Sequence, residues 1–338
     1  MLQGSEGELS PEELDTYFSC TQRVADDMKA KSLTANVWFV HDPQLLPLAR
    51  LLPKKEGETW ICYIDLTTPN KSVLDDLMPL TQDYDQLIFS QQACVPKDLG
   101  DIVPVLIAPP AIDPLTIKNT PMNMDQAQTI FSAMGIDTSR PLITQVSWFD
   151  LWKDPWGVID AFRIARESVP GLQLALLGLS QATDDPEGAK VFNTVADHAT
   201  GDPDIHLYLD SSEILVSVDE VVNAVQMASK VLMQKSTREG FGLTVTEGMW
   251  KGKPVIDGDA GGIRVQINNG VSGFLVSSPY ECAQRLVELL QDEALRARIG
   301  VAAKESVRQL FLLPRLALDY LTVALAHVNG RLPATGGD

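Results

Sequence analysis

The stretch Ser236-Thr-Arg-Glu239-Gly-Phe-Gly242-Leu-Thr-Val-Thr-Glu247 decides the fold and most of the chemistry that this sequence predicts. It follows the apolar run Val231–Met233 and leads into a helical pattern from about Leu243 to Trp250. The stretch therefore predicts a strand, a glycine-rich turn and a helix. The first N–H groups of a helix lack partners and its dipole is positive there, so this turn suits an anion such as a diphosphate. Its glycines let the backbone approach that anion closely.

Two carboxylates bracket the turn. Glu239 stands at its mouth, where a sugar leaving the phosphate would lie, and Glu247 lies early in the helix, within reach of a ribose hydroxyl. The alternative interpretation is a strand–turn–helix unit with two solvated glutamates. The second glutamate, followed by Lys253-Pro-Val-Ile256 and then by Gly261-Gly262, favours the binding site.

Composition limits the class of protein. The chain has 338 residues, 45% hydrophobic and 21% charged, which is enough for two globular domains. Its formal net charge of −18 disfavours nucleic acid and anionic membranes as partners, because both bind basic surfaces. No apolar run approaches the roughly 20 residues of a membrane span, and the N-terminus does not read as a signal peptide. We therefore expect no membrane span.

The cysteines and histidines do not form a metal-ligand pattern. The four cysteines are scattered at Cys20, Cys62, Cys94 and Cys282, which fits a reducing compartment, and we expect a cytoplasmic protein. The expected site has no metal and no cofactor. An oxidoreductase is a poor alternative, since no strand is followed by Gly-x-Gly-x-x-Gly with an acid about 20 residues later.

Apolar runs alternate with helical patterns from end to end, which predicts an α/β protein with parallel sheets. The first set of predicted strands is Ala35–Val40, Thr59–Ile64, Gln86–Phe89 and Val103–Ala108. The second set is Pro141–Ser147, Leu172–Gly178, Ile205–Leu209, Lys230–Gln234, Pro254–Ile256 and Gly273–Val276. We predict Rossmann-like domains at residues 1–135 and 136–310. The tail from Pro279 to about Val328 is predicted to be helical, with a kink at Pro314.

Further motifs accompany the two glutamates. They are His41-Asp42-Pro43-Gln44, Ile64-Asp65-Leu66, Pro109-Pro110-x-Ile112-Asp113-Pro114, Gln145-Val-Ser147-x-Phe149-Asp150-x-Trp152-Lys153, Asp184-Asp185-Pro186-Glu187-Gly188, Gly261-Gly262-Ile263 and Asn269-Gly-x-x-Gly273-Phe274-Leu275-Val276. The Glu-x7-Glu spacing is similar to the signature of retaining nucleotide-sugar glycosyltransferases with the GT-B fold. The whole set resembles the trehalose glycosyltransferring synthases and related trehalose phosphorylases, of glycosyltransferase family 4 type, from about Met1 to Leu325.

This resemblance implies an architecture and an activity. The architecture is two Rossmann-like domains facing a cleft, with a truncated acceptor-side N-terminal domain, a C-terminal domain that binds the nucleotide sugar, and a helix at 311–338 that crosses back to the first domain. The activity is transfer of glucose from a nucleoside-diphosphate-glucose to glucose, giving trehalose with retention. The base (uridine, adenosine or guanosine) and the acceptor stay open.

The resemblance also assigns roles. Glu239 and His41 are expected to meet the reacting sugars as catalytic residues, and Glu247 to bind the ribose. Lys153 would be the diphosphate cation, and Ile205–Leu209 would border the base. The backbone that holds phosphate would be that of Gly240, Phe241, Gly242, Leu243 and Thr244. The acceptor side would be lined by Asp42, Tyr63 and Asp65, although Asp42 and Asp65 could instead cap the helices that follow their strands.

Several positions depart from the family pattern. Trp148 stands where an arginine pairs with the phosphate lysine, and Asp154 replaces the glycine after it. Ile61 and Tyr63 replace an arginine and a histidine of the first domain. Tryptophan cannot make the bidentate phosphate contact of arginine. The alternative function is therefore a catalytically impaired relative that binds a nucleotide, a sugar or a partner protein. Either a homodimer or a separate chain could complete the first domain.

Overall fold

The computed structural model describes residues 8–64, 71–97, 99–178, 186–209 and 216–328. The chain divides into two compact units: unit 1 comprises Met1–Pro110 and Pro314–Asp338, and unit 2 comprises Ala111–Leu313. The division at Pro110 falls earlier in the chain than the boundary at 135/136 expected from the sequence. The reason is that the helix at Met124–Ala133 packs against the helix at Val218–Ala228, within unit 2.

Unit 1 is built on a parallel sheet whose described strands are ordered β1-β2-β3-β4. Its elements up to Pro110 are α1 (Pro11–Ala30), β1 (Val37–His41), α2 (Leu48–Leu51), β2 (Thr59–Ile64), α3 (Lys71–Thr81), β3 (Gln86–Phe89) and β4 (Val105–Ile107). Helix α1 begins at a capping box made by Ser10 and Glu13, with Pro11 at its first position, a combination that favours the start of a helix. All residues of β2 and β3 are buried, as expected for strands covered on both faces.

Unit 2 contains a six-stranded parallel sheet among its described residues, with the strand order β10-β9-β8-β5-β6-β7. Its elements are α4 (Met124–Ala133), β5 (Leu142–Val146), α5 (Pro155–Arg166), β6 (Gln173–Leu177), α6 (Pro186–Ala199), β7 (Ile205–Tyr208), α7 (Val218–Ala228), β8 (Val231–Met233), α8 (Leu243–Trp250), β9 (Val255–Gly258), α9 (Ile263–Gln266), β10 (Phe274–Val276), α10 (Pro279–Gln291) and α11 (Glu293–Leu310). The order reverses between β5 and β8. In open α/β sheets, ligands bind at the carboxyl ends of the strands at such a reversal.

The tail differs from the predicted kinked helix. It forms α10, α11 and then α12 (Leu313–Val328), with Asp292 capping the start of α11 through the N–H of Leu295. Pro314 does not kink a helix, because it lies in the first turn of α12, where no intrahelical bond from its nitrogen is needed. Helix α12 belongs to unit 1, where Val323 packs against Ile61 and Ile88 of the sheet.

The predicted parallel-sheet α/β class is confirmed. Each unit has its own apolar core around its sheet. Among the described residues, no helix is both long and apolar enough to cross a membrane.

Candidate functional site

The strand reversal of unit 2 brings together a lysine and a glutamate from distant parts of the sequence. Lys153 ends a short 3-10 turn after β5, and Glu239 lies in the loop between β8 and α8. Their side chains, 17% and 10% exposed, form a close ion pair. A partly buried pair of opposite charges is much less screened than a surface pair. The cation and the carboxylate predicted to serve the diphosphate and the sugar are therefore neighbours.

The turn that carries Lys153 is fixed by short local bonds. The carboxylate of Asp150 accepts the N–H of Trp152 at 2.8 Å, and Gln145 donates to the carbonyl of Lys153 at 2.9 Å. Asp154 has a left-handed backbone (φ 42°) and caps α5 by accepting the N–H of Gly157 at 3.0 Å. The same Asp154 pairs with Lys235 at 2.5 Å. The residue that replaces the family glycine thus has a structural partner of its own.

Close backbone packing fixes the loop that carries Glu239. The N–H of Gly262 donates to the carbonyl of Glu239 at 3.1 Å. A Cβ atom on Gly261 would lie 1.8 Å from that carbonyl oxygen, and one on Gly262 would lie 2.1 Å from the carbonyl oxygen of Gly240. The Gly-Gly pair is therefore required because two backbone segments touch. This contact positions Glu239 at the carboxyl edge of the sheet.

The glycine turn leads into α8 as predicted. Gly242 directly precedes α8 and has φ 86°, a backbone conformation that favours glycine. The side-chain amide of Gln266 fixes this part of the turn by donating to the carbonyls of Phe241 and Gly242. Thr244 donates to Gln234 at 3.1 Å. The Phe241 side chain is buried and packs edge-on to Phe311, so only its backbone is available to a ligand. Within the part of the chain that the structure describes, no side chain caps α8, and its N-terminus is therefore suited to an anion.

Glu247 lies in the second turn of α8 and is 6% exposed. Its Oε1 atom lies 3.6 Å from the Nζ atom of Lys118, while Oε2 is buried with no hydrogen-bond partner among the described residues. Burial raises the pKa of Glu247, opposed by the charges of Lys118 and Lys251. A buried carboxylate oxygen without a partner is costly, and a ligand hydroxyl would satisfy it. This geometry fits the predicted ribose role.

Lys251 supports Glu247 from the C-terminal end of α8. It donates to Gln226 at 2.7 Å and lies 3.5 Å from the side-chain oxygen of Asn119. Burial lowers the pKa of Lys251 to about 8, against the raising effect of Glu247. The carboxylate is thus held between two lysines.

Two positions that depart from the family pattern, Trp148 and Asp154, flank the turn that carries Lys153. Trp148 is 55% exposed. The Arg238 guanidinium lies over the ring of Trp152 at 4.1 Å, a cation–π contact. Trp152 is thus involved in packing at the loop. The β7 end predicted to border the base contains His206, whose ring lies 3.2 Å from Gln173.

Unit 1 brings together His41, Asp42 and Tyr63, which the sequence assigns to the reacting sugar or the acceptor side. His41 stacks on Tyr63 with ring centroids 5.6 Å apart and lies 5.9 Å from Tyr320 of α12. Asp42 has φ 69° and donates its N–H to the carbonyl of Tyr63 at 2.9 Å. Its carboxylate does not cap the 3-10 turn that follows, so the capping interpretation is wrong for Asp42. Asp65 lies outside the described residues, as do Asp184 and Asp185.

Sequence reasoning missed several residues of the site in unit 2. Lys118, Lys251 and Asp257 contact or face the predicted residues, and Gln234 and Gln266 hold the loop. Lys235 directly precedes the diagnostic stretch and could have been noticed. Lys118 gives no local signal, because only folding brings it to α8.

Both parts of the chain match known protein families. The sequence model "Glycosyl transferases group 1" matches residues 126–306, and "Trehalose synthase, N-terminal domain" matches residues 1–96. The chain is 41% identical to a trehalose synthase of Rubrobacter xylanophilus over 95% of its own length and 76% of the relative. It is 38% identical to a trehalose synthase of Pyrococcus horikoshii, with the same coverage.

A solved structure supports the fold. The sucrose-phosphate synthase of Thermosynechococcus elongatus superposes with a TM-score of 0.75 at 18% identity, covering 97% of this chain and 82% of that one. The fold is GT-B, with two Rossmann-like parts. From these matches and the family models, the chain belongs to the group 1 glycosyltransferases, in the trehalose synthase family.

Proposed function

We propose that this glycosyltransferase moves glucose from a nucleoside-diphosphate-glucose to glucose, forming α,α-trehalose with retention. The observation that carries the proposal is the Lys153–Glu239 pair at the strand reversal, beside the uncapped N-terminus of α8. The trehalose synthases among the relatives support the product. The donor base is left open.

The leaving diphosphate would be stabilised without a metal. As the bond from the glucose carbon to the phosphate oxygen breaks, negative charge grows on that oxygen, where Lys153 and the N–H groups of Gly242–Thr244 can receive it. Charge stabilisation of this kind is usually the largest catalytic contribution. The acceptor hydroxyl forms the new bond on the same face and releases its proton to the leaving phosphate. Each bond broken is thus matched by one formed.

The glutamates have separate proposed roles. Glu239 meets the donor sugar and, before the donor binds, holds Lys153 in place. When the diphosphate arrives, it competes for that lysine. Glu247 accepts a ribose hydroxyl through its unpartnered oxygen. On the acceptor side we propose His41 as the residue that meets the reacting sugar, with Asp42 and Tyr63 beside it; an acceptor role for Asp65 stays a prediction from the sequence.

The test is an assay of the full chain with glucose and, in separate reactions, UDP-, ADP- and GDP-glucose. Released nucleoside diphosphate and trehalose are both measured, with Glu239→Gln as the inactive comparison. We expect equal amounts of the two products with one preferred donor. Release of nucleotide without trehalose, or equal activity of Glu239→Gln, would contradict the proposal.

One observation favours the second candidate, a protein that binds the nucleotide with little turnover. Trp148 takes the place of an arginine and contributes no positive charge next to the diphosphate. Binding of a nucleoside diphosphate with no product from any donor and acceptor would select this alternative.

A further inference from the structure

Asp257 is a buried acid beneath the loop that carries Glu239. It is the third residue of β9, and its exposed fraction is 0%. Its Oδ1 atom accepts the N–H of Ser236 at 2.9 Å and that of Gly258 at 2.6 Å. Its Oδ2 atom is buried and has no hydrogen-bond partner among the described residues. Neither the sequence motifs nor the proposed reaction gives this acid a role.

The strand end and the loop are in direct backbone contact at this point. A Cβ atom on Gly258 would lie 1.8 Å from the carbonyl oxygen of Ser236. Ser236 is the first residue of the stretch that reaches Glu239, so the bond from its N–H to Asp257 fixes where that stretch begins. A shift of Asp257 would therefore move the loop.

Three titratable groups interact electrostatically with Asp257. Glu239 comes from the loop after β8, Lys153 from the turn after β5, and Cys282 from α10. Burial raises the pKa of the Cys282 thiol to about 12, so this group is neutral. Asp257 therefore faces one negative and one positive charge, the two members of the donor-site ion pair.

The surroundings of Asp257 favour its protonated form. Burial raises its pKa to about 8, the Ser236 N–H acts in the opposite direction, and Glu239 raises it further. For a fully buried carboxyl group with one oxygen unpartnered, the ionised form costs more free energy than the neutral acid. Near neutral pH an uncharged acid therefore lies next to the Lys153–Glu239 pair, where an ionised Asp257 would add a second carboxylate charge.

We propose that Asp257 is a positioning residue of the donor site, which as an uncharged acid anchors the Glu239 loop and adds no second negative charge to compete with the diphosphate for Lys153. Ionised Asp257 would place a second negative charge near Lys153 and hold this lysine against the protein. The inference rests on the proposed function, because it assigns the diphosphate to Lys153. Its consequence is a loss of nucleotide affinity at alkaline pH.

The first test is calorimetric binding of UDP, ADP and GDP to the full chain between pH 6.5 and 9. Asp257→Asn keeps the accepting oxygen and cannot ionise. Asp259→Asn, two positions further on at an exposed ion pair with Arg264, is the matched control. Wild type and the control should lose roughly two- to fivefold in affinity as the pH passes 8, the range of a weak charge–charge interaction, because Asp257 then becomes negatively charged. Asp257→Asn should lose clearly less affinity than wild type over this range; the loss that remains comes from Lys251 beside Glu247, since burial lowers the pKa of Lys251 to about 8.

Two outcomes overturn the inference in distinguishable ways. Binding with the same pH dependence in wild type and Asp257→Asn overturns the role of Asp257 alone. Absence of nucleotide binding in both proteins at every pH overturns the proposed function and the inference with it.

A second measurement uses the wild-type protein without a ligand, so it does not depend on whether a variant folds. Wild-type protein labelled with ¹³C at the aspartate carboxyl carbons should show one carboxyl signal that titrates near pH 8 by NMR. All aspartate signals titrating below pH 6 would overturn the inference, even if Asp257→Asn does not fold.

Discussion

The Nζ atom of Lys118 lies 3.6 Å from Oε1 of Glu247, so a residue of the segment before α4 contacts the middle of α8. The same Nζ atom lies 3.5 Å from Asp219 at the start of α7. Lys118 is 32% exposed, whereas the Glu247 side chain is only 8% exposed. The lysine therefore supplies charge to a carboxylate that has lost most of its water.

Replacing Lys118 should weaken nucleotide binding. Lys118→Met removes one of the charges that oppose the raised pKa of Glu247, so less of this carboxylate is ionised to accept the ribose. Because the lysine is about one-third exposed, we expect a loss of about 1 kcal/mol in binding, or roughly fivefold. Calorimetry at pH 7 measures the change. Lys190→Met on α6 is the control and should bind as wild type does; equal losses in both variants would contradict the assignment.

The pH dependence of the free energy of unfolding should reflect the raised pKa of Glu247. Its folded pKa is raised above the unfolded value, so the stabilising contribution of the protonated acid is complete below the unfolded pKa and is lost as pH rises through the folded pKa. Glu247→Gln does not ionise. The free energy of unfolding in urea should therefore fall for wild type relative to Glu247→Gln between pH 5 and the folded pKa. A difference independent of pH would show that Glu247 is not perturbed.

Glu247 should also discriminate the ribose. Hydrogen bonds to charged groups contribute about 1.5–3 kcal/mol, so a nucleoside diphosphate lacking both ribose hydroxyls should bind wild type at least tenfold more weakly. Glu247→Ala should bind the complete nucleotide more weakly and lose most of this discrimination. If the variant discriminates as wild type does, the ribose lies elsewhere.

Variants of Glu239 and Lys153 should separate the loss of trehalose formation from the loss of nucleotide affinity. Glu239→Gln removes the partner of Lys153 and leaves this cation to the diphosphate, so nucleoside-diphosphate affinity should be kept or rise while trehalose formation is lost. Lys153→Met should instead lose affinity. The opposite pattern, lost affinity with retained rate in Glu239→Gln, would mean that the two glutamates have exchanged roles.

The Gly-Gly contact predicts a steric effect on stability. Gly262→Ala would place Cβ 2.1 Å from the carbonyl oxygen of Gly240, whereas the same change at Gly100 meets nothing within 4 Å. Overpacking against backbone should lower the free energy of unfolding by about 1–3 kcal/mol in Gly262→Ala. Urea unfolding of both variants tests this, and equal stabilities would show that the loop can move aside.

Much of the fold could be predicted from the sequence. The apolar runs are short, separated by helical patterns, and buried on both faces, so the predicted strands at Thr59–Ile64 and Gln86–Phe89 have the bounds that the structure gives. Helix α8 begins at Leu243 as expected, because the two glycines before it and the periodicity of Leu243–Trp250 both mark its start.

The rest depends on contacts that leave no local signal. Pairing of Lys153 with Glu239 follows from the placement of β5 next to β8, which alternation alone does not determine. Nothing in the sequence distinguishes Lys118 and Asp257 from other polar residues, because the contact of Lys118 with Glu247 and the burial of Asp257 arise only in the fold. The boundary at Pro110 depends on α4 packing against α7. Pro314 does not make the predicted kink, because a proline in the first turn leaves a helix straight.

Transfer of glucose from donor to acceptor is tested most directly by following an isotope label from the nucleotide sugar into the product. The full chain is incubated with nucleoside-diphosphate-glucose labelled with ¹³C at C1, together with unlabelled glucose, and the products are observed by ¹³C NMR. We expect α,α-trehalose with label at one anomeric carbon to appear slowly, in step with release of the nucleoside diphosphate. Label in free glucose alone, in a β-linked product, or unchanged in the donor while the nucleotide is bound would contradict this expectation.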